Sequence, residues 1–465
     1  MSKPNTQPNS PNSPNPSTVT PPAQAAPPVQ APAPPVVCWV GLDWADKKHC
    51  LAVRTSPTMP PKMHYIEQKP EQIEAFFLGL RAQNMQGRIA VAIEQSRGPV
   101  LYALMKFDFL VLYPVNPRCL ADYRRAFKVS GTKDDPLDAA LLCELVSQHA
   151  DRLRPLAVED PITRQLRLLT EARRGFVDHR TGLSNQLGAV LKSYYPLALE
   201  LVGEDLATPM ALELLRRWPC LAKLQTAKPG TLRAFFYAHH SRAEDKITDR
   251  LDAIRKARPL TEDPALIGPL MMQMQGLVSH LQVVGRTVAQ YDERIAEVFA
   301  THSCAWLFAP LPGAGAALAP RLAAAFGTIT GNFATALDLS CFTGVAPVRK
   351  QSGNQEITFF RYARPIFLHQ SIVEFAKCSV GQCAWARLLY DDEIKNGKSK
   401  WMAFRKLGFK WIRILWRCWK DGHPYDEASY LRSLQRHGVE LYRSLYETLP
   451  PEPTIEIVNN SQKHD

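Results

Sequence analysis

The sequence has no feature that would place the chain in a membrane or send it out of the cell. No run approaches the ~20 uninterrupted apolar residues of a bilayer-spanning helix, which excludes an integral membrane protein. The first residues, MSKPNTQPNSPNSP, contain no apolar core of a secretory signal, so we expect no export. Both absences favour a protein of the cytoplasm.

The cysteines are too scattered for a zinc site. The ten cysteines include no CxxC pair, and the closest two, Cys378 and Cys383, have no second pair nearby to complete a metal site. We therefore expect reduced thiols, as in a cytosolic protein.

Acidic residues are in the minority. There are 56 Lys and Arg against 44 Asp and Glu, which gives a formal net charge of +12 and a pI near 9.2. This balance indicates a polyanionic partner without naming one. With 46% hydrophobic residues, most of the chain can bury a core. A length of 465 residues predicts about three domains.

Composition and periodicity divide the chain into five segments. Residues 1–35 hold twelve of the 38 prolines and too little apolar area to offset the entropy of ordering, so we predict a disordered tail. Residues 36–155 are predicted to form an α/β domain, 156–300 a helical coiled-coil arm, and 301–450 a mainly helical domain. Residues 451–465 are predicted to be a polar tail.

The α/β segment predicts a mixed sheet covered by helices. The strand candidates are VVCWVGL, HCLAVR, KMHYIEQ, RIAVAIE and FLVLYPV, and the helix candidates span 70–83, 100–106, 117–127 and 136–148. Three successive strands followed by alternating helices and strands are typical of such a sheet.

The rest of the chain is predicted to be mainly helical. Two amphipathic stretches, 164–195 and 269–298, indicate the long helices of the arm, and the sequence leaves open whether they pair within one chain or between subunits. The turn PGAG at 312–315 resembles a helix-hairpin-helix turn. We expect FTGVAPVRKQSGNQ to be a loop and 367–419 to be helical.

Four acidic residues give the strongest chemical signal. Asp43 and Glu94 close predicted strands, while Asp135 and Asp138 open a helix in KDDPLDA. Strand ends on one edge of a sheet converge, and residues three apart share a helix face, so all four carboxylates can point to one place. Their mutual repulsion would require divalent cations, and two Mg²⁺ ions roughly 4 Å apart would act on a phosphodiester.

Each of these residues also has a structural explanation. Asp135 before Pro136 is a good helix N-cap, and Asp138 can complement the helix dipole. Asp43 can simply begin a turn, and Glu94 can be a solvated strand end. The joint placement of the four favours the catalytic interpretation.

Two smaller motifs have a functional and a structural interpretation. Ser352 lies beside a glycine in a basic loop with Arg349 and Lys350, which suits a nucleophile approaching a phosphodiester, although it also fits an ordinary turn. Gly313 and Gly315 can offer backbone N–H groups to phosphate, or can simply be needed by a tight turn.

A basic and aromatic stretch runs from Lys395 to Lys420. It holds nine Lys and Arg, six aromatic residues and no acid, which suits nucleic-acid binding. The side chains expected inside a core are Trp401, Phe404, Trp411 and Leu415. The side chains expected outside, facing nucleic acid, are Lys406, Lys410, Arg413 and Arg417. Arginines of the arm, such as Arg164, Arg167, Arg173, Arg174 and Arg180, would extend this surface.

Four motifs carry a resemblance to a known family. They are GLDWADKKHCLAV, VAIEQSRG, LYPVNPRCLADYRRAFKVSGTKDDPLDAALLCEL and CFTGVAPVRKQSGNQ, in this order. From Val36 to about residue 435 the chain resembles the bridge-RNA-guided insertion-sequence transposases of the DEDD family. The resemblance implies an N-terminal RuvC-like domain with a ribonuclease H-like fold and a C-terminal transposase domain.

The resemblance also implies roles for individual residues. The four acidic residues of the family bind Mg²⁺, and here they fall on Asp43, Glu94, Asp135 and Asp138. The family pattern is close to K-T-D-R-x-D-A, so Asp134 takes the Thr position and is a poorer ligand candidate than Asp135. The nucleophilic serine of the family, in an A-P…S-G context, matches Ser352 and implies a transient phosphoserine link to DNA.

The resulting hypothesis is a DNA transposase that cuts and rejoins strands to move its own insertion sequence. The expected cofactor is Mg²⁺, as two ions, and the expected partners are donor and target DNA, a guide RNA and further copies of the chain in a dimer or tetramer. The expected location is the bacterial cytoplasm, in association with the nucleoid. A site-specific DNA invertase and a RuvC-like junction-resolving nuclease are the alternatives.

Overall fold

The structure is a computed structural model that describes residues 34–84, 87–94, 98–127, 134–241, 243–328, 333–353 and 355–450. The described residues form two compact units, which divide between Val158 and Glu159. The predicted tails, 1–35 and 451–465, lie almost wholly outside the described residues. Across the described ranges, no helix has both the length and the apolar character needed to cross a bilayer.

The first unit is built on a five-stranded mixed sheet. Its strands are β1 (Val36–Asp43), β2 (Lys48–Arg54), β3 (Lys62–Glu67), β4 (Arg88–Ile93) and β5 (Leu110–Pro114), in the order β3-β2-β1-β4-β5. Strand β2 pairs antiparallel with both β1 and β3, whereas β4 pairs parallel with both β1 and β5. The mixed sheet predicted from the sequence is therefore confirmed.

Helices cover both faces of this sheet because the strand side chains alternate. The helices are α1 (Pro70–Gln83), α2 (Pro99–Leu104), α3 (Pro117–Phe127) and α4 (Asp135–Gln148). Val40 and its alternate neighbours pack with Phe77 of α1 and Leu104 of α2. The other face, which includes Ala92, packs against Leu142 of α4.

Helix α4 lies unusually close to the central strand β1. A Cβ atom at Gly41 would lie 2.0 Å from the carbonyl oxygen of Ala139 and 2.3 Å from the amide nitrogen of Cys143. The Cys143 thiol donates to the carbonyl oxygen of Trp39 at 3.4 Å, so α4 runs antiparallel to β1. The first turn of α4 therefore lies over the end of β1 that carries Asp43.

Replacement of Gly41 by alanine tests this contact. We expect Gly41→Ala to lower the urea midpoint of unfolding, because the added methyl must displace α4 at a cost of about 1–3 kcal/mol. Gly79→Ala is the matched control, since Gly79 is an exposed residue of α1 with nothing within 4 Å. The free energy of unfolding of Gly79→Ala should rise by up to about 1 kcal/mol, because alanine favours a helix more than glycine does. Circular dichroism measures the urea midpoint of both variants. An unchanged midpoint for Gly41→Ala would contradict the close packing of α4 against β1.

The second unit begins with a long helical arm. Helix α5 (Pro161–Tyr194) and helix α11 (Pro264–Ala300) pack along each other, so the two arm helices pair within one chain. Helix α11 begins five residues before the predicted start at Pro269, because Asp263 caps it by accepting from the Ala265 amide at 2.8 Å. Pro269 lies inside the helix as its sixth residue, where it cannot donate the hydrogen bond that another residue would give to the carbonyl of Ala265.

Five short helices fill the sequence between the two arm helices. They are α6 (Leu197–Val202), α7 (Pro209–Arg217), α8 (Leu221–Gln225), α9 (Pro229–Ala238) and α10 (Glu244–Lys256). Leu187 of α5, Phe236 of α9 and Leu281 of α11 share one core, so this end of the arm has its own hydrophobic cluster.

The remainder of the second unit is a helical bundle with one hairpin. The helices are α12 (Ala305–Phe308), α13 (Gly315–Phe326), α14 (Ala336–Thr343), α15 (Ile366–Ser379), α16 (Ala384–Lys395), α17 (Lys400–Asp421), α18 (Glu427–Arg436) and α19 (Arg443–Tyr446). Their core centres on Trp385 and Trp411 and includes Ile295 of the arm. The expected loop instead contains the antiparallel strands β6 (Val348–Ser352) and β7 (Gln355–Phe359), so that expectation was wrong.

A buried polar network joins the arm to this bundle at His302. The ring Nδ1 accepts from the Cys304 amide at 3.1 Å, so the neutral ring carries its proton on Nε2. Nε2 donates to Thr163 Oγ1 at 2.9 Å, and that hydroxyl donates to Asp160 Oδ2 at 2.5 Å. Burial lowers the pKa of His302 below its usual 6.5, in opposition to the nearby carboxylates of Asp160 and Glu159.

Stability should therefore fall as the pH drops below about 6.5. The unfolded chain, with an ordinary histidine, binds the proton before the folded chain does, and the loss is complete below the lowered pKa of His302. His302→Gln should show a smaller change in melting temperature between about pH 7.5 and pH 5.5 than the wild type. The exposed His280 of α11 gives the control, because His280→Gln should keep the wild-type pH dependence. Equal pH dependence in both variants would contradict this account.

Candidate active site and nucleic-acid interface

Two of the four predicted carboxylates lie at adjacent strand ends. Strands β1 and β4 are parallel neighbours, and Leu42 pairs with Ile93 at the end of their register. The next residues are Asp43, which ends β1, and Glu94, which follows β4. Both are therefore held at the same edge of the sheet by the backbone register.

Asp135 lies close to the same edge but is not the helix cap. The N-cap of α4 is Asp134, whose side chain accepts from the Leu137 amide at 2.7 Å, so the expectation that Asp135 caps the helix was wrong. Asp135 is the exposed first residue of α4. Burial, and after it the negative charges of Asp43 and Asp135, raise the pKa of the Cys50 thiol. Because the first turn of α4 lies over the end of β1 that carries Asp43, Asp135 lies at this end of the sheet.

Asp138 has a different environment from Asp135. Its side chain is buried, with 2% exposure, and its Oδ1 accepts hydrogen bonds from Nε of Arg124 at 2.8 Å and from a terminal nitrogen of the same guanidinium. Asp135 is thus exposed whereas Asp138 is buried against α3, and the expectation that the two carboxylates point to one place stays a prediction. The ion pair between Arg124 and Asp138 could not be predicted from the sequence, because the two residues are 14 positions apart and lie on different helices.

The edge offers oxygen donors but no preassembled metal site. Among the described side chains, no three His, Cys, Asp or Glu are arranged to hold a metal ion. The donors at the edge are carboxylates, which are the ligands preferred by hard divalent cations such as Mg²⁺. In donor chemistry Asp43, Glu94 and Asp135 fit such an ion, whereas the charge of Asp138 is already offset by Arg124.

Removal of Arg124 should destabilise the first unit. Arg124→Gln leaves the buried carboxylate of Asp138 without its cation, and breaking such a pair from one side costs about 3–5 kcal/mol. The adjacent Arg125 is the matched control, because it pairs with Asp122 on the surface, where the two side chains are 72% and 61% exposed. Arg125→Gln should cost less than about 1 kcal/mol. Thermal unfolding compares the two variants, and similar losses in both would rule out the buried pair.

Ser352 lies at the tip of the exposed β6–β7 hairpin. It ends β6 and pairs with Gln355, while Gly353 in the turn has a φ of 57°, a conformation that favours glycine. Lys350 lies on the same face two residues earlier, with its Nζ 5.5 Å from the centre of the Phe359 ring. Arg349 is exposed and forms an ion pair with Glu356 at 3.3 Å. The serine is therefore accessible and flanked by cations.

The basic face predicted on α17 is present in part. Arg413 and Arg417 are exposed, and Arg417 forms an ion pair with Asp421. Lys406 is exposed and paired with Glu393. Lys410 is half-buried, so its expected exposure was wrong. Burial, followed by the charges of Arg413 and Lys406, lowers the pKa of Lys410.

The aromatic side of α17 also differs from the expectation. Trp411 and Leu415 are buried and Phe404 is half-buried, as predicted. Trp401 is 74% exposed, so the prediction that it lies in the core was wrong. It belongs to the first turn of the helix, which begins at Lys400 and extends beyond the bundle core.

Internal contacts explain several residues that the sequence assigned to nucleic acid. Gly313 has a φ of 82°, and a Cβ there would lie 2.8 Å from the carbonyl oxygen of Cys378, so the turn itself requires glycine. Gly315 has a φ of 55° with open space around it. In the arm, Arg173 pairs with Asp292 and Arg174 with Glu374, so these arginines stabilise the fold.

Comparison with known proteins identifies the class to which the chain belongs. A model described as a transposase, of the DEDD type of IS110, matches residues 40–196, and a model for the transposase IS116/IS110/IS902 family matches residues 305–390. Together they span just over half of the chain. The chain belongs to the IS116/IS110/IS902 family of transposases and is a DNA transposase or recombinase, and its DEDD type indicates the use of divalent metal.

Individual relatives match between 66% and 84% of the chain. The mini-circle putative transposase for IS117 of Streptomyces coelicolor is 25% identical over 393 residues, which cover 83% of this chain and 95% of that protein. An insertion element IS900 protein of Mycobacterium paratuberculosis is 24% identical over 406 residues, covering 84% and 98% respectively. An insertion element IS110 protein of Streptomyces coelicolor is 26% identical over 314 residues, covering 66% and 74%.

Proposed function

We propose that this transposase uses Mg²⁺-dependent strand cleavage and rejoining to move its own insertion sequence, with the sheet unit as a ribonuclease H-like, RuvC-like catalytic domain. The observation that carries the proposal is the parallel register of β1 and β4, whose ends carry Asp43 and Glu94. The strand order β3-β2-β1-β4-β5 supports the assignment of the fold. The helical arm would be the second domain predicted from the sequence, residues 156–300, and the helical bundle would be the third, residues 301–450.

The residues proposed to hold the metal are Asp43, Glu94 and Asp135, with Asp138 as the fourth carboxylate. Bound magnesium, as a pair of ions, supplies charge stabilisation to the phosphodiester under attack and activates the nucleophile. The residues of the chain hold the oxygen donors at the strand ends, and Gly41 lets the first turn of α4 approach them. Asp138 would have to share its buried carboxylate between the metal and Arg124.

Ser352 is the proposed nucleophile. Its oxygen bonds to the phosphorus as the bond from phosphorus to a sugar oxygen of the DNA breaks, the serine proton passes to a base, and the leaving oxygen gains a proton. A hydroxyl of the recipient strand then attacks the phosphoserine, which restores the serine and joins the new strand. The exposed position of Ser352 and the cations Arg349 and Lys350 support this role.

The proposed partners are donor and target DNA, a guide RNA and further copies of the chain. Arg413 and Arg417 present exposed positive charge for phosphate contacts, and Gly313 and Gly315 remain candidates for a phosphate-binding turn. Guidance by RNA and a dimeric or tetrameric assembly rest on the sequence resemblance. In such a system base pairing selects the DNA, and the protein reads mainly the backbone and shape of the RNA.

A recombination assay with donor and target plasmids tests these assignments. Asp43→Ala and Ser352→Ala should abolish strand exchange, because each removes a reacting or metal-binding group, while affinity for DNA in gel-shift measurements stays close to wild type. The controls are Asp134→Asn, which keeps a good helix cap, and Thr358→Ala on the opposite face of the hairpin. Both controls should recombine normally. Wild-type recombination by Asp43→Ala or Ser352→Ala would refute the site.

Trapping of a protein–DNA adduct separates this mechanism from simple hydrolysis. Strand transfer through Ser352 predicts a covalent complex with cleaved DNA that survives denaturing electrophoresis and disappears in Ser352→Ala. A junction-resolving nuclease would need the carboxylates but not the serine, and would leave no adduct. A site-specific invertase would share the carboxylates and the serine with a transposase. The two are distinguished only by whether the element moves to a new position in the DNA.

A further inference from the structure

An exposed apolar patch lies at the corner between α16 and α17. Ile394, in the last turn of α16, and Trp401 and Met402, in the first turn of α17, are 38%, 74% and 45% exposed. Tryptophan normally contributes its large ring area to a core or an interface. Three exposed apolar side chains at one corner therefore indicate a surface that contacts another molecule.

A row of aromatic rings supports the exposed tryptophan from below. The rings of Tyr390 and Phe404 are stacked with their centres 5.0 Å apart and an angle of 15° between their planes. The edge of Phe404 then meets Trp401 at 6.4 Å with an angle of 85°. Phe404 is packed against the bundle core, so Trp401 has a fixed support on one side and solvent on the other.

Exposed lysines flank this patch on the side of the turn between α16 and α17. Lys395, Lys398 and Lys400 are all exposed, and no Asp or Glu occurs between Lys395 and Lys420. The nearby Glu393 is buried and paired with Lys406, so its charge is offset. The backbone N–H of Lys398 donates to the carbonyl oxygen of Glu393 at 3.0 Å, which holds the turn against α16.

We propose that Trp401 is a stacking platform for an unpaired base of a nucleic-acid strand, with Lys398 and Lys400 contacting the flanking phosphates. A planar apolar face flanked by cations complements a strand that alternates planar bases with anionic phosphates. This inference rests on the proposed function, because it takes a nucleic acid as the partner. Trp401 is twelve residues from Arg413, about 18 Å along the helix, so the site is separate from the exposed arginines Arg413 and Arg417.

The chemistry of stacking selects a single strand rather than a duplex. In a duplex each base face is covered by its neighbours, whereas an unpaired base can leave the stack and cover the indole ring. Every base has such a face, so the platform should bind with little sequence preference. A purely apolar protein partner would not account for the three flanking lysines.

The test uses the full chain and a labelled single-stranded DNA of about 20 nucleotides and mixed sequence, with its duplex for comparison. Trp401→Leu keeps apolar area but removes the planar face, and it should weaken binding to the single strand about 5- to 100-fold. Binding to the duplex should change less than about twofold. Trp401→Phe should retain most of the affinity, because it keeps a planar ring.

The salt dependence of binding separates stacking from charge. Trp401→Leu should leave the slope of log K against log salt unchanged, because it removes no phosphate contact. Lys398→Gln should reduce that slope by about one unit. Met272→Ala is the matched control, since Met272 is an equally exposed apolar residue of α11, at 76%, and its loss should change neither affinity nor slope.

Three results would overturn the inference. The first is a wild-type affinity of Trp401→Leu for the single strand. The second is a loss of single-strand affinity in Met272→Ala that equals the loss in Trp401→Leu. The third is a changed sedimentation coefficient of Trp401→Leu with retained affinity for the single strand, which would assign the patch to self-association. Melting curves check that each variant is folded, as expected for exposed side chains. If the wild-type chain bound neither oligonucleotide, the proposed nucleic-acid partner would fail as well, whereas unchanged affinity in Trp401→Leu would overturn the platform alone.

Discussion

The close contact between α4 and β1 is the constraint on which the acidic edge of the first unit depends. Gly41 has no side chain, so the backbone of α4 can lie directly against the strand, and Ala139 and Cys143 are buried at the contact. The contact brings the first turn of α4 over the strand end that carries Asp43. A larger residue at any of these positions would lift the helix and separate Asp135 from the strand ends.

The charged groups proposed for function are held differently in the two units. In the first unit the backbone register holds Asp43 and Glu94 together, and an internal cation, Arg124, offsets a third carboxylate that could not otherwise be buried. In the second unit the cations lie on the surface, beside the exposed serine of the hairpin. The first arrangement suits a metal-dependent reaction at phosphate, and the second suits contact with a polyanion. Both arrangements fit the chemistry of a DNA transposase, the class to which the chain belongs.

The regular parts of the fold were predictable because their periodicities are strong. Short runs of apolar and β-branched residues indicated the strands, and the spacing of Ile73 and Phe77 indicated α1. The β6–β7 hairpin was not predictable, because all residues of its two strands except Val348 are exposed and the strands have no buried face. The exposure of Trp401 depends on where the bundle core ends, and the Arg124–Asp138 pair depends on how α3 meets α4. Neither relation is encoded in local sequence. The two strand-end carboxylates were predictable, since they need only the strand register.

The location of bound metal tests the central claim most directly. Crystals of the full chain soaked in Mn²⁺, measured at the manganese absorption edge, would locate the ion by its anomalous scattering without reference to activity. The account predicts manganese bound by the carboxylate oxygens of Asp43 and Glu94, with Asp135 as a further ligand. Manganese bound elsewhere, with the edge of β1 and β4 free of metal while the same preparation recombines DNA, would contradict it.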